Sequence, residues 1–332
     1  MNGNLTPPAS PPTRVERTAE VPLALAGPRL DRGVAELFPD FSRSRLADWL
    51  KAGRLRIDGR EARPRDPVVG GERIVLATDL EAQVDSVAED IALAIVYEDK
   101  HLLVVDKPPG LVVHPGAGNP AGTLQNALLH HDPKLAEIPR AGIVHRLDKD
   151  TSGVMMIART LAAHTRLVEM IAAREVHRRY EALVYGVLVA GGTIDAPIGR
   201  DRHERTRMAV VEDDSAREAV THYRVRERFR AHTRVQVDLE TGRTHQIRVH
   251  FAHIRHPLVG DPVYGGLKLP KGAAPEFVDA LRAFRRQALH AERLEFAHPV
   301  TGKPLSLEAA RPADLDALLA AMRVDLREHP DR

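Results

Sequence analysis

Beyond residue 91 the sequence breaks into short apolar runs separated by turn residues, and this punctuation restricts the fold more than any other feature. "LAIVYEDKHLLVVDKPPGLVVHPG", residues 93–116, reads as two short strands, a Pro-Pro-Gly turn and a third strand. Further strands are expected at 142–144, 154–158, 178–188, 220–228, 233–239 and 246–251. Helices are expected only at 122–130, 160–173 and 275–285. Many strands with few helices imply an α+β domain on a large, mixed but mainly antiparallel sheet. No fixed-period repeat is visible.

The front of the chain is organised differently. In residues 29–76, Leu30, Val34 and Leu37 share one helical face. Ser42 is placed to cap a second helix, with Leu46, Trp49 and Leu50 inward and Gly53 at its end. "RLRIDGR" then reads as a strand entering an Asp-Gly turn, and "ERIVLA" as a last strand. From Arg29 to Arg73 there are eleven Lys and Arg against eight Asp and Glu, a basic excess. The core "SRSRLADWLKAGRLRIDG" resembles an S4 domain, a small α/β RNA-binding module. The resemblance implies that Arg43, Arg45, Lys51 and Arg54 face RNA phosphates. The plainer reading of the same residues is a solvated helix face.

These patterns divide the chain into a disordered N-terminal arm (1–27), an S4-like domain with an acidic linker (28–90), a catalytic domain (91–325) and a flexible tail (326–332). "MNGNLTPPASPPTRVERTAE" has no apolar signal core, and no run approaches the length of a membrane span. There is no cysteine, which excludes disulfides, thiolate metal ligands and a thiol nucleophile, and fits a cytoplasmic setting. The net charge of +2 does not by itself mark a nucleic-acid binder.

The densest cluster of candidate chemistry is "HRLDKDTSG", residues 145–153. Asp148, Asp150, Ser152 and Gly153 fit the opening of a calcium-binding EF-hand loop, but position twelve is Arg159 where that loop needs a glutamate. Asp148, Asp150 and Thr151 also fit the Asp-x-Asp-x-Thr of an aspartyl-phosphate phosphatase. His145 and Arg146 interrupt the apolar approach that enzyme needs, and no repeated strand–helix pattern surrounds the motif.

The longer stretch "GIVHRLDKDTSGVMMIAR" resembles the signature of the RluA family of pseudouridine synthases. "RRYEALVYG" at 178–186 resembles that family's tyrosine strand, and "LETGRTHQIRVHFAHIRHPLVGDPVYGG" at 239–266 its arginine motif. "RQALHAERLEFAHPVTG" at 286–302 is similar to its closing strand. The resemblance covers roughly 92–325. "AGNPAGTLQNALLHH" and "IGRDRHERTRMAV" are most similar to the D-type branch, and the C-type branch shares the layout. The resemblance implies isomerisation of uridines in 23S ribosomal RNA, at the helix 69 stem-loop for the D type. The RNA would be free or in an assembling large subunit, with no membrane and no obligate protein partner.

That reaction breaks the C1′–N1 bond of uridine, turns the base, and rejoins it through C5. It is redox-neutral and needs no cofactor or metal. No phosphate-binding or dinucleotide glycine motif is present in the sequence. By resemblance Asp148 is the essential carboxylate, acting as nucleophile at C1′ or assisting departure of the base as a glycal forms. Arg243 is the arginine implied to pair with it. Arg146 is implied to enter the duplex or fill the space left by the flipped base. Tyr180, read alone, is a core tyrosine; the resemblance makes it a stacking platform for the uracil. Ile247 is implied to line the apolar wall. Lys149 and Asp150 are read as structural, and His245, His250, His253 and His256 as packing or RNA contacts rather than metal ligands.

Overall fold

The computed structural model describes residues 13–27, 29–38, 43–80, 87–116, 118–201, 204, 207–213 and 216–329; the side chains of 13–15, 43–45 and 79–80 are outside the described part. The chain divides between Asp85 and Ser86 into two units. No described helix is long and apolar enough to cross a membrane.

The first unit contains β1 (Thr13–Glu20), α1 (Leu30–Leu37), α2 (Arg43–Lys51), β2 (Leu55–Ile57), β3 (Arg60–Glu61) and β4 (Arg73–Leu80). The strands form one antiparallel sheet in the order β1-β4-β2-β3. Leu30, Val34, Leu46, Trp49, Leu50, Leu55 and Ile74 build its core. Gly53, at φ 68°, turns the chain out of α2, and the Arg54 N–H reaches back to the Trp49 carbonyl. Asp58 and Gly59 both have positive φ, the hairpin turn that Asp-Gly favours. Ser42, expected as the α2 cap, lies outside the described residues.

Residues 13–27 correct the expected arm. β1 pairs with β4 along its length, and Val21 is buried in the core. Glu16, Arg17, Thr18 and Glu20 are exposed on this edge strand, so it carries no apolar alternation that composition could reveal. β4 also takes up the first residues of the segment read as a linker.

The second unit contains β5 (Ala94–Glu98), β6 (Leu102–Lys107), α3 (Leu124–His131), β7 (Ser152–Ala158), α4 (Leu161–Ala172), β8 (His177–Tyr185), β9 (Gly192–Asp195), β10 (Ile198–Arg200) and β11 (Met208–Val210). It continues through β12 (Val220–Arg228), β13 (His232–Leu239), α5 (Gln246–His253), α6 (Pro275–Ala283), β14 (Leu289–Ala297), β15 (Pro304–Glu308) and α7 (Ala313–Glu328). Nine strands make one sheet, ordered β5-β6-β7-β14-β8-β13-β12-β9, with β15 on the far end of β14. Only β7–β14 is parallel, as a mixed, mainly antiparallel sheet requires. β10 and β11 pair as a separate hairpin.

The register of three adjacent strands positions the site. Gly153 of β7 lies opposite Ala291 of β14, which lies opposite Tyr180 of β8. The loop entering β7, which carries Asp148, is thereby brought to the row of Tyr180 although 32 residues separate them. Gly153 has φ 117°, and a Cβ there would stand 2.1 Å from the Ala291 carbonyl oxygen. Only glycine lets β14 close against β7 at this point.

Four other expectations change. The third strand expected after Pro108-Pro109-Gly110 does not form, and Val112 makes one isolated bridge to Thr123. Residues 142–144 are not a strand: Arg140, Ala141 and Gly142 all have positive φ, and Ile143 makes one isolated bridge to Ile157. Residues 246–251 are helical. Gln246, Ile247, Arg248, Val249, His250 and Phe251 are all buried, so α5 shows no amphipathic stripe and its Ile-x-Val-x-Phe alternation imitates a strand. Residues 326–328, assigned to the tail, end α7, whose Leu315, Leu318, Leu319 and Met322 pack inward. Residues 330–332 are outside the described part.

Candidate active site

The loop carrying Asp148 is held by its backbone. The Thr151 N–H closes a turn onto the Asp148 carbonyl (3.1 Å), and the Lys149 carbonyl accepts from the Gly110 N–H (2.9 Å). Arg286 Nη1 donates to the Asp150 carbonyl at 3.2 Å, and Gln287 Nε2 to Thr151 Oγ1 at 3.0 Å. Lys107 lies beneath, fully buried, with Nζ donating to the carbonyls of Pro108 (2.8 Å), Leu111 (3.0 Å) and Lys149 (2.9 Å). With its backbone fixed from behind, the loop leaves the Asp148 carboxylate 17% exposed to a cleft. The Lys149 side chain is exposed and Asp150 half-buried.

Burial pushes the Lys107 ammonium down to about 8, against the charges of Asp150 and Asp148. Below that pH the folded protein carries the full cost of a buried charge. As pH rises from 8 toward the ordinary lysine value, the unfolded chain holds more protons than the folded one, so stability rises. Lys107→Met leaves three carbonyls short of a donor and is expected to cost about 3–5 kcal/mol near neutrality. The gap between wild type and variant in urea unfolding should widen between pH 8 and pH 10. A gap that narrows would contradict this arrangement.

The arginine paired with Asp148 is Arg248, not Arg243. Arg248 Nη1 donates to Asp148 Oδ2 at 3.0 Å, while Nε and Nη2 grip Asp261 at 2.7 and 2.9 Å. Asp261 is fully buried and also accepts the N–H groups of Val263 and Tyr264. Burial works against the Arg248 charge, but hydrogen bonding and charge from Asp261 and then Asp148 outweigh it and hold its pKa above the ordinary value. The guanidinium also lies 5.1 Å from the centroid of the Tyr264 ring. Arg243 turns elsewhere: its Nε donates to the Glu218 carbonyl (2.9 Å) and its N–H to Gln246 Oε1 (3.0 Å). The physical reason is the helix. Arg243 lies in the turn before α5 and lines the cleft mouth, whereas the first turn of α5 carries Arg248 inward.

His245 was read as packing or RNA contact and stands nearer the chemistry than that. It takes the left-handed conformation (φ 56°), which aims its ring at Asp148, with Nε2 at 3.9 Å from Oδ1. Tyr264 Oη accepts the Met208 N–H at 3.1 Å and lies 3.0 Å from His245 Nδ1. A neutral tautomer protonated on Nε2 would present an N–H toward Asp148 while Nδ1 accepts from the hydroxyl. Burial lowers the His245 pKa, Asp148 opposes this and Arg248 reinforces it. His145 is different in kind: Nε2 accepts the Met156 N–H at 3.0 Å, and burial with the charge of Arg178 takes it down to about 3.

Tyr180 is 7% exposed and lines the cleft with Asp148. Burial raises its pKa, Arg178 opposes, and the Asp148 charge adds to the rise, so the phenol keeps its proton at neutral pH. Leu147, Leu239, Ile247 and Leu289 form the apolar wall beside it. Arg146 is exposed at the mouth and makes no ion pair among the described residues. The cleft has a volume of about 660 Å³. Asp148, Tyr180, Arg243, Arg146 and Ile247 are thus brought together, and Arg248, His245 and Lys107 are additions. In the first unit, Lys51 is exposed and pairs with Asp48 at 2.8 Å, and Arg54 is exposed. The side chains of Arg43 and Arg45 lie outside the described residues.

An aspartate, a buried tyrosine and an arginine in a cationic cleft with an apolar wall can receive a base taken out of its stack. Known proteins agree with that chemistry. Residues 101–253 match the profile of RNA pseudouridylate synthases, and residues 28–74 that of the S4 domain. The chain is 61% identical over 310 residues to ribosomal large subunit pseudouridine synthase D of Xanthomonas campestris, covering 93% of each. To the protein of that name from Escherichia coli K12 it is 52% identical over 320 residues, covering 96% of this chain and 98% of that one. Among solved structures, human RNA pseudouridylate synthase domain containing 4 aligns with a TM-score of 0.55 at 27% identity, over 69% of this chain and 93% of that one.

Proposed function

The chain belongs to the RNA pseudouridylate synthases, and from that premise we propose that it isomerises uridines of 23S ribosomal RNA, in the helix 69 stem-loop. The observation that carries the reading is one carboxylate, Asp148, set beside Tyr180 in a cationic cleft and gripped by Arg248. A hydrolytic glycosidase sets two carboxylates around the scissile bond. Here Asp261 is fully buried and bound to Arg248, and Glu240, which also lines the cleft, is held by Arg174 and His222. One free carboxylate suits a reaction that must break and remake a glycosidic bond without admitting water.

In this reading the uracil stacks on Tyr180 and against Ile247. Base–aromatic stacking of about 1–3 kcal/mol offsets part of the few kcal/mol that unstacking costs. Asp148 acts at C1′ as the C1′–N1 bond breaks. The base turns, C5 bonds to C1′, and the C5 proton leaves. That proton passes to water, as tritium release measures, while Tyr180, whose phenol keeps its own proton, holds the base. The large-subunit target is supported by the high identity to relatives of that name across nearly the whole chain.

The test uses large-subunit RNA carrying tritium at uracil C5. The protein should release tritium from it, and mapping should place pseudouridine in helix 69. No release from any large-subunit RNA would overturn the reading, and pseudouridine only at other positions of 23S RNA would move the target to that of the C-type branch. Removing residues 1–85 is expected to weaken RNA binding and make its salt dependence shallower, by about 0.7–0.9 in the log–log slope per lost phosphate contact. An unchanged slope would mean that the S4 unit makes no phosphate contacts.

A further inference from the structure

Arg178 stands on β8 two residues before Tyr180, so both side chains face the cleft. It is 7% exposed, yet it makes no ion pair among the described residues. Its Nε is buried without a hydrogen-bond partner, and Nη2 makes one long bond to the Glu240 carbonyl (3.3 Å). Nearby arginines are satisfied differently. Arg248 spans two carboxylates, Arg174 takes Glu218 and Glu240, and Arg286 takes Asp314. A buried guanidinium without an anion is costly, and a chain keeps one where a ligand supplies the missing charge.

The surroundings are shaped to hold Arg178 in that state. A Cβ on Gly242 would lie 2.5 Å from Nη1, so the guanidinium lies directly against this glycine in the turn before α5. Arg140, Arg146 and Arg243 line the same cleft, and none has an ion-pair partner among the described residues. Arg178, Asp148 and Tyr180 all line this one cleft, and the charges of the first two both act on the Tyr180 hydroxyl.

We propose that Arg178 binds a backbone phosphate flanking the target uridine, so that the flipped nucleotide is held by its base at Tyr180 and by its phosphate at Arg178. This rests on the uridine-isomerase reading above. A phosphodiester fits because it is charged at every working pH and accompanies every internal nucleotide. Its oxygens match the fork of a guanidinium. Most nucleic-acid contacts of this kind fix register rather than read sequence. Arg178 would thus position the sugar over Asp148 whatever bases lie beside it.

The test takes a synthetic RNA stem-loop around a uridine that the wild type modifies, labelled with tritium at C5. The phosphate on the 5′ or the 3′ side of that uridine is replaced in turn by a neutral methylphosphonate. One replacement should lower wild-type kcat/KM about tenfold or more, the usual worth of a charged hydrogen bond. Arg178→Met should cost a similar factor and then be indifferent to that replacement. Gly242→Ala, which displaces the guanidinium while leaving it in the protein, should behave likewise and serves if Arg178→Met folds poorly. Penalties that multiply at both positions would overturn the proposal and leave Arg178 a structural cation. So would a wild type indifferent to both replacements. If the wild type modifies no uridine of large-subunit RNA, the functional reading itself fails, and this inference with it.

Discussion

Asp148→Asn should abolish tritium release, with a fall in kcat on the order of 10⁴-fold or more, while RNA affinity stays within about threefold of wild type. The amide is isosteric. Its oxygen can still accept from Arg248 Nη1, which keeps its grip on Asp261, so the pocket should survive the change. The Asp148 loop is fixed through the carbonyls of Lys149 and Asp150 and through Thr151, none of which the substitution touches. What disappears is the negative charge that the proposed mechanism places at C1′. Single-turnover release and filter binding separate the two quantities. Residual turnover near the wild-type rate would remove Asp148 from the mechanism, and parallel loss of binding would make its role one of affinity.

Arg248→Met should be the most damaging arginine substitution in the cleft. It strands the buried Asp261 and leaves Asp148 without its cation, and breaking such a buried pair costs about 3–5 kcal/mol. Turnover should fall with it, since the carboxylate loses the contact that orients it. Arg248→Lys keeps a charge but has no fork to reach both aspartates, and should recover little. Arg243→Met, which removes one bond to a backbone carbonyl, should cost under about 1 kcal/mol and act mainly on KM. Urea unfolding and steady-state tritium release on the three variants decide the matter. A dead Arg243→Met beside an active Arg248→Met would reverse the assignment.

The mistaken arginine marks where the sequence stopped being legible. "GRTHQIR" holds two arginines five residues apart, and either suits an aspartate almost a hundred residues upstream. Choosing between them required the state of residues 246–251. A helix buried all round over its first six residues hides its own period there, and Ile247, Val249 and Phe251 alternate as a strand would. Lys107 and His245 were missed for a related reason. Nothing local marks a lysine whose three partners are carbonyls from two loops, or a histidine held by a tyrosine nineteen residues on. β1 was missed because its described side chains, Ala19 apart, are polar and exposed at a sheet edge.

The sequence by itself determined the class of fold and marked Asp148 as a candidate, while Tyr180, Arg146 and Ile247 became candidates only through the family resemblance. The first two rest on local pattern: apolar runs that must pair, a Gly-ended helix before an Asp-Gly turn, a carboxylate in a contiguous motif. The tertiary structure alone decided the pairing of Asp148 with Arg248, the approach of His245 Nε2 to Asp148, and the lack of an ion-pair partner for Arg178 among the described residues. Each is a relation between side chains far apart in sequence, brought together by the β7–β14–β8 register or by the first turn of α5. Charge pairing and desolvation depend on distance in space, and only packing fixes that distance.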